Sequence, residues 1–209
     1  TAMTIDGSQR VGIGTTSPSA ALEISNSVPL IRLSDSDGTN TYGQISASTA
    51  ALSFAHRNGA SNGQIIFQGL GGGVSDEYAR FDTSGRLLVG TSTARNNWND
   101  SGIEAKIQIE GAGNDDSAAL TIVANSGTTS SDKRTGLLVL GRTRGTTIGS
   151  NTAVVQDDAV GMIEFKGNDG TNFTTAATIR AQVDGSIGTD DMPGRLVFSV
   201  TRDGSASPT

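Results

Sequence analysis

Residues 81–91 read Phe-Asp-Thr-Ser-Gly-Arg-Leu-Leu-Val-Gly-Thr, and residues 5–15 read Ile-Asp-Gly-Ser-Gln-Arg-Val-Gly-Ile-Gly-Thr, 76 positions earlier. Asp, Ser, Arg, Gly and Thr are identical at five of the eleven aligned positions, and three further positions stay apolar. Each copy predicts a short strand ending in Asp, a polar turn, a second short strand and a Gly-Thr exit. A hairpin that recurs in this way indicates an array of modules that pack against their neighbours.

The repeated hairpin marks the boundaries between modules, so we expect a structural role for its identical positions. Gly14 and Gly90 close the two copies, and we expect there a backbone geometry or a close approach that a Cβ would hinder. One departure between the copies is Leu88, where the first copy has Gly12. The hairpin residues selected are Asp6, Arg10, Gly14, Asp82, Arg86 and Gly90.

Short strand-like segments bounded by turn residues recur along the rest of the chain, and Asp-Gly and Asn-Gly pairs supply the turns. No stretch has a sustained helical period. The pattern predicts an all-β fold of short-stranded sandwich-like or prism-like modules in series. Besides the hairpins, strands are predicted at 22–24, 30–33, 42–46, 51–56, 64–68, 78–82, 105–110, 119–124, 136–140, 161–166, 178–183 and 195–201.

The composition predicts a thin core. Of 209 residues, 28 are glycine, 34% are hydrophobic and 4% aromatic, and small modules bury a low fraction of their surface. Some strands are nevertheless apolar at successive positions, so both of their faces need cover. We therefore expect several chains to associate. The candidates for core or subunit packing are Leu87, Leu88, Val89, Leu137, Leu138, Val139, Leu140 and Trp98.

The run Arg10-Val-Gly-Ile-Gly-Thr-Thr-Ser-Pro18, preceded by Ile5-Asp-Gly-Ser, resembles a repeated motif in tail fibres and other receptor-side appendages of tailed bacteriophages, notably cyanophages and marine phages. Residues 161–171, 177–185 and 191–199 resemble modules of the same fibres. The resemblance implies an intertwined or packed homotrimer, located on the virion and outside the cell. It also implies other tail or virion proteins and a host-surface glycan as partners.

The repeat divides the chain into a junction hairpin from a preceding module (1–15), a first β module ending in the second hairpin (16–91) and a second module with longer loops (92–209). In the fibres that the chain resembles, a further hairpin usually follows the last segment. We therefore expect an excerpt of a longer polypeptide.

Charge and residue usage exclude several classes of function. The formal charge of −6 argues against nucleic acid, which normally needs a basic surface. Without cysteine there is no disulfide and no thiolate site. The sequence contains no apolar run of 18 residues, which a membrane-spanning helix would need, and the N-terminus has no signal-peptide pattern.

Two motifs have a chemical interpretation beside a simpler one. Gly59-Ala-Ser-Asn-Gly63 matches a hydrolase nucleophile elbow, with the single histidine, His56, nearby. That elbow needs a strand-to-helix turn, whereas strands are predicted on both sides here, so we favour a β-turn. Closely spaced Asp and Asn residues, as at 35–40, could ligate calcium, but turn hydrogen bonds explain them better. We predict no catalytic residue, no metal and no cofactor.

A small basic cluster and two aromatic residues are the remaining candidates. The cluster is a solvated loop or a contact for an anionic glycan. Trp98 and Tyr42 serve either packing or sugar stacking, and packing is favoured. The candidate host-contact residues are Lys133, Arg134, Arg142 and Arg144.

Three functions remain open at this point. The first is a structural segment of a trimeric phage tail fibre that forms the shaft and contributes to host-receptor binding. The second is a polysaccharide depolymerase module of a phage tailspike. The third is a bacterial surface adhesin or carbohydrate-binding module. The repeated hairpin and the lack of a catalytic constellation favour the first, which is not an enzyme.

Overall fold

The computed structural model describes residues 3–36, 41–48, 51–59, 61–71, 74–97, 105–112, 118–124, 136–205 and 207–209. By their contacts the residues form two compact units. The first consists of Thr1–Ala94 and Ala105–Ala118, and the second of Arg95–Glu104 and Ala119–Thr209. These two units are defined by contacts between residues, whereas the modules predicted from the sequence are bounded by the repeated hairpin.

The first unit contains three small sheets. Sheet I has the order β1-β2-β3, sheet II the order β4-β5-β6-β7 and sheet III the order β11-β10-β9-β8. The strands are β1 (Met3–Ile5), β2 (Val11–Ile13), β3 (Leu22–Ile24), β4 (Leu30–Ser34), β5 (Tyr42–Ala47), β6 (Leu52–Asn58), β7 (Ser61–Asn62), β8 (Ile65–Gly71), β9 (Val74–Phe81), β10 (Leu87–Val89) and β11 (Ile107–Ile109).

The second unit contains sheet IV, which has the order β12-β13-β14. Its strands are antiparallel, and two of them are longer than any strand of the first unit. The register shifts between Ala159 and Gly161 and between Phe165 and Lys166. The strands are β12 (Ala159–Asn168), β13 (Phe173–Val183) and β14 (Gly194–Val200).

The described part of the chain contains strands and no helix, so the all-β prediction is confirmed. Most strands lie where the alternation of apolar residues and the turn signals predict them. The glycine-rich stretch that begins at Gly69, whose composition favours a flexible loop, starts inside β8, where Gly69 pairs with Asp76. A Cβ on Gly69 would overlap the hydroxyl group of Tyr78, so this exposed side chain would have to move.

Two predicted strands are not strands within the single chain. Residues 119–124 and 136–140 run without a ladder to any described strand. Their β-branched and leucine side chains suit a strand, but a strand also needs a neighbour that supplies hydrogen bonds, and the described residues of this chain supply no continuous ladder.

Candidate functional site

The first copy of the repeated hairpin is held by one aspartate. Oδ1 of Asp6 accepts hydrogen bonds from the backbone N–H groups of Ser8 and Arg10, both at 2.9 Å. Oδ2 accepts from Nε and Nη2 of Arg10, at 2.8 and 2.7 Å. These donors, the Arg10 backbone N–H foremost and its guanidinium next, lower the pKa of Asp6. Asp6 therefore closes the turn and fixes the arginine side chain at once.

The second copy repeats this geometry atom for atom. Oδ1 of Asp82 accepts from the N–H groups of Ser84 and Arg86 at 2.9 Å, and Oδ2 accepts from Nε and Nη2 of Arg86 at 2.7 Å. Burial raises the pKa of Asp82, but the backbone and guanidinium hydrogen bonds from Arg86 outweigh that effect and lower it. The identical residues of the sequence repeat are thus the residues that build the turn.

The exit of each hairpin depends on glycine, as the sequence predicts. Gly14 has φ 78° and Gly90 has φ 73°, a left-handed conformation that L side chains adopt at a cost. A Cβ on Gly14 would also overlap the carbonyl oxygen of Ser25, and one on Gly90 would overlap that of Glu110. Both glycines therefore lie against the backbone at the end of the strand that follows.

That following strand extends the repeat beyond the eleven matched residues. β3 pairs in parallel with β2, and β11 pairs in parallel with β10. The flanking hydrogen bonds also correspond: Val11 N–H donates to Ala21 O and Leu87 N–H to Lys106 O, both at 2.8 Å. The repeated unit is therefore a three-stranded junction, not a hairpin alone. The third strand escapes the sequence match because the connection is longer in the second copy, residues 90–106 against 14–21.

The difference between Gly12 and Leu88 in the two copies has a local cause. A Cβ on Gly12 would lie 2.6 Å from the carbonyl oxygen of Thr15, so the first copy folds its own exit over this position. The equivalent Leu88 is fully buried, at 0% exposure. The strand registers of the two hairpins are nevertheless the same.

The junction sheets each have one open apolar face. In sheet III, Leu88 and Gln108 are buried on one face, while Phe81, Phe67 and Ile107 on the other are exposed. The equivalent face of sheet I is exposed as well, at Met3, Ile5, Ile13 and Leu22. Apolar faces of this kind mark interaction surfaces in soluble proteins.

Sheet II also has an apolar face, although every residue of β4 and β6 is exposed, on both faces of the sheet. Its register brings Ile31, Ile45 and Phe54 into one row, and all three are exposed. Two clefts of about 220 and 310 Å³ border this face, lined mostly by aliphatic and aromatic side chains. An apolar side chain from another surface would fill them better than water does.

The predicted packing residues divide into three groups. Leu88 is buried, and Leu87 and Val89 are half-buried on the opposite face of β10. Leu137, Leu138, Val139 and Leu140 are exposed by 67%, 60%, 74% and 46%. Trp98 lies outside the described residues. The extended segment 137–140 thus presents four apolar side chains for which the single chain provides little cover.

The predicted host-contact residues Arg142 and Arg144 bind an aspartate of their own chain. Nε of Arg144 donates to Oδ2 of Asp158 at 2.7 Å, and Nη2 of Arg142 lies 3.4 Å from Oδ1. The side chain of Asp158 is only 9% exposed, whereas Arg142 and Arg144 are 43% and 45% exposed. The Arg144 hydrogen bond first, and the Val155 backbone N–H second, lower the pKa of Asp158 to about 2. Lys133 and Arg134 lie outside the described residues.

The elbow-like motif is a β-hairpin turn, as the sequence favours. Arg57 and Asn58 of β6 pair with Asn62 and Ser61 of β7, and a strand, not a helix, follows the motif. His56 lies on β6 with Nδ1 3.2 Å from the carbonyl oxygen of Gln64. Tyr42 lies on β5, and the guanidinium of Arg32 lies over its ring, 4.1 Å from the ring centroid.

The described residues contain no cluster of three or more His, Cys, Asp or Glu side chains suited to hold a metal ion. Residues 37–40 of the aspartate-rich segment lie outside them. Nor does the described part of the chain include a helix long and apolar enough to cross a membrane.

No protein-family model matches the chain, and no curated protein sequence matches it significantly. The functional argument therefore depends on the junction geometry and on the open apolar faces.

Proposed function

We propose that this chain is a structural segment of a homotrimeric, β-rich fibre on the virion of a tailed bacteriophage, that it forms part of the shaft, and that it contributes to binding the host surface. The single observation that carries the proposal is the burial pattern of the sheets. Each of the four sheets has an apolar face, and side chains on each of these faces are exposed in the single chain. Among the described residues the buried large aliphatic side chains are Leu88, Val154 and Val183.

The energetic balance favours association. Covering a Leu, Val, Ile or Phe side chain contributes about 1.5 to 3 kcal/mol, and a folded domain is stable by about 5 to 15 kcal/mol in total. One face of sheet IV has five large apolar side chains that are 44 to 70% exposed, namely Ile163, Phe165, Leu196, Phe198 and Val200. Covering their exposed parts would contribute roughly 4 to 9 kcal/mol, which is comparable to the net stability of a domain. Closed cyclic symmetry gives every copy of such a face the same cover.

The repeated junction supports the series arrangement of a shaft. Each copy contains an Asp–Arg turn, a left-handed glycine that lies against the backbone of the next strand, and a parallel third strand. These features depend on local residues, so the same joint can recur wherever the motif recurs. The number three and the place on the virion are what the family resemblance implies.

Host contact is proposed for the basic residues of the second unit. Arg142 and Arg144 are partly exposed and share Asp158, so a glycan anion would have to compete with that carboxylate. Lys133 and Arg134, which lie outside the described residues, are included in the proposal for their charge alone. The net charge of −6 makes nucleic acid an unsuitable partner.

Immunogold electron microscopy of the phage that encodes this chain tests the proposal. Antibodies against the chain should label the tail appendages of intact particles. Label on a bacterial surface that carries no phage would instead support the adhesin alternative. In a parallel assay, release of new reducing ends from capsular or lipopolysaccharide glycans, lost on Asp or Glu substitution, would support the depolymerase alternative.

A further inference from the structure

Sheet IV presents its apolar side chains in a registered grid. Its strand pairings place three rows of three residues on one face, because side chains alternate between the two faces of a strand. None of these residues carries a charge. The rows are Gly161, Ala181 and Leu196; Ile163, Ile179 and Phe198; and Phe165, Ala177 and Val200.

The grid is open over most of its area. Leu196, Phe198 and Val200 on β14 are exposed by 64%, 70% and 64%, whereas Arg195, Val197 and Ser199 on the opposite face of the same strand are only partly exposed. On β12, Ile163 and Phe165 are exposed by 44% and 52%. β14 thus exposes its apolar side more than its polar side, the reverse of a free surface strand.

One end of the grid is already closed by the chain itself. A Cβ on Gly161 would lie 2.7 Å from Cβ of Leu140, so Leu140 lies over the first row. Val183, the next apolar position along β13, is buried at 1% exposure. The chain therefore begins to build a core at the β12 end of the first row and leaves Leu196 and most of the other two rows without cover.

The charge of the face suits a like surface. On the central strand, Ala177 lies between the larger Phe165 and Val200, whereas Ala181 lies between Gly161 and Leu196. The opposite face carries charges, with Lys166 Nζ at 3.2 Å from Glu164 Oε2. In a chain of net charge −6, a charge-free face is where identical copies can approach without repulsion.

The open area is sufficient for a contact between copies. The five exposed side chains of the grid present roughly 600 Å² per chain, since aromatic side chains bury about 150 to 250 Å² each and aliphatic ones somewhat less. Stable interfaces bury about 600 to 1,000 Å² per partner. The face alone reaches the lower end of that range.

We propose that this grid packs against the same face of further copies of the chain and forms the apolar interior of the assembly in the second unit. The inference depends on the proposed multi-chain function and adds to it the surface that makes the contact. Residues of even and odd number on β14 therefore have different surroundings in the assembly. Phe198 lies in the interior, and Ser199 faces outward.

Single cysteines test this assignment cleanly because the chain has none of its own. Phe198→Cys and Ser199→Cys are adjacent and point to opposite faces. Treated with a short bismaleimide, the assembled Phe198→Cys protein should give covalent dimers, and the matched Ser199→Cys protein should give none. Light scattering of both variants and of the unchanged chain measures assembly independently.

The outcomes separate this inference from the proposed function. An assembly of wild-type mass in which Ser199→Cys is cross-linked, or in which neither variant is, overturns the assignment of the face but leaves the multi-chain fibre. A Phe198→Cys chain that no longer assembles, beside an assembling Ser199→Cys chain, supports the assignment, whereas loss of assembly in both overturns it. A wild-type chain that is monomeric overturns both proposals.

Discussion

Gly90 is the residue on which the second junction depends most directly. Its left-handed φ of 73° and the carbonyl oxygen of Glu110 leave no room for a Cβ. Gly90→Ala should therefore destabilise the protein by about 2 to 5 kcal/mol, the sum of the conformational cost and the displacement of β11. Chemical unfolding measures the loss.

Ser84→Ala is the matched control in the same hairpin, since only the backbone N–H of Ser84 binds Asp82. The free energy of unfolding should change by less than about 0.5 kcal/mol in this variant. Equal costs would show that the glycine is only a spacer.

The turn residue between the two hairpin strands differs between the copies. Gln9 has φ 62° and the equivalent Gly85 has φ 71°. Because the left-handed region costs a residue with a Cβ about 1 to 2 kcal/mol, and glycine loses more entropy on folding, Gln9→Gly should stabilise the first junction by about 0.5 to 1 kcal/mol. Gly85→Gln should destabilise the second by a similar amount. Thermal unfolding of the two reciprocal variants checks the prediction, and shifts of the same sign would contradict it.

Asp158 gives the second unit a specific response to acid. Its pKa is lowered from 3.8 to about 2 in the folded chain, by Arg144 first and by the Val155 N–H second. A lowered folded-state pKa contributes stability above the unfolded value and loses it as pH falls through the folded value. Stability should therefore fall between about pH 4 and pH 2. Asp158→Asn should be less stable at pH 7 and should show a weaker loss over that window. A wild-type pH profile that the substitution leaves unchanged would contradict this role.

Among the elements of the fold, the segment 137–140 distinguishes an assembled chain from a free one. Leu138 is 60% exposed in the single chain, so Leu138→Asp should have little effect on a monomer. In an assembly that covers the segment, the same change buries an unpaired charge and should dissociate or unfold it. Analytical ultracentrifugation of the variant measures the effect. Leu88→Asp is the control, because Leu88 is buried within its own chain and its loss should unfold the protein in either case.

The elements show which features a sequence of this kind predicts. The hairpins were predictable because Asp6 and Asp82 bind donors only two and four residues away, so a local pattern contains the whole turn. The parallel strands β3 and β11 were predicted as strands, but not as part of the repeat, because connections of different length separate them from their partners. The pairing of Arg142 and Arg144 with Asp158 left no local signal in the sequence, since the residues are far apart along it.

Two predicted strands, at 119–124 and 136–140, are not strands in the structure. Both segments have the composition of strands, and the local sequence reveals no more than that composition. Whether a strand forms is decided by the neighbour that completes its hydrogen bonds. Among the described residues the two segments approach each other at Ile122 and Gly136, but they form no such ladder.

On the scale of the whole molecule, we propose that the chain is one part of a multi-chain assembly whose interior is formed by the open apolar faces. Each unit has such faces of its own, since sheets I, II and III belong to the first unit and sheet IV to the second. Removal of that cover would leave faces that promote aggregation instead of a soluble monomer.

The mass of the purified chain in solution tests this claim most directly. Multi-angle light scattering at micromolar concentration should give three times the chain mass of 21.3 kDa, and a single cooperative unfolding transition should depend on protein concentration, as expected when folding and association are coupled. A compact monomer of 21.3 kDa that unfolds cooperatively at a midpoint independent of concentration would contradict the account.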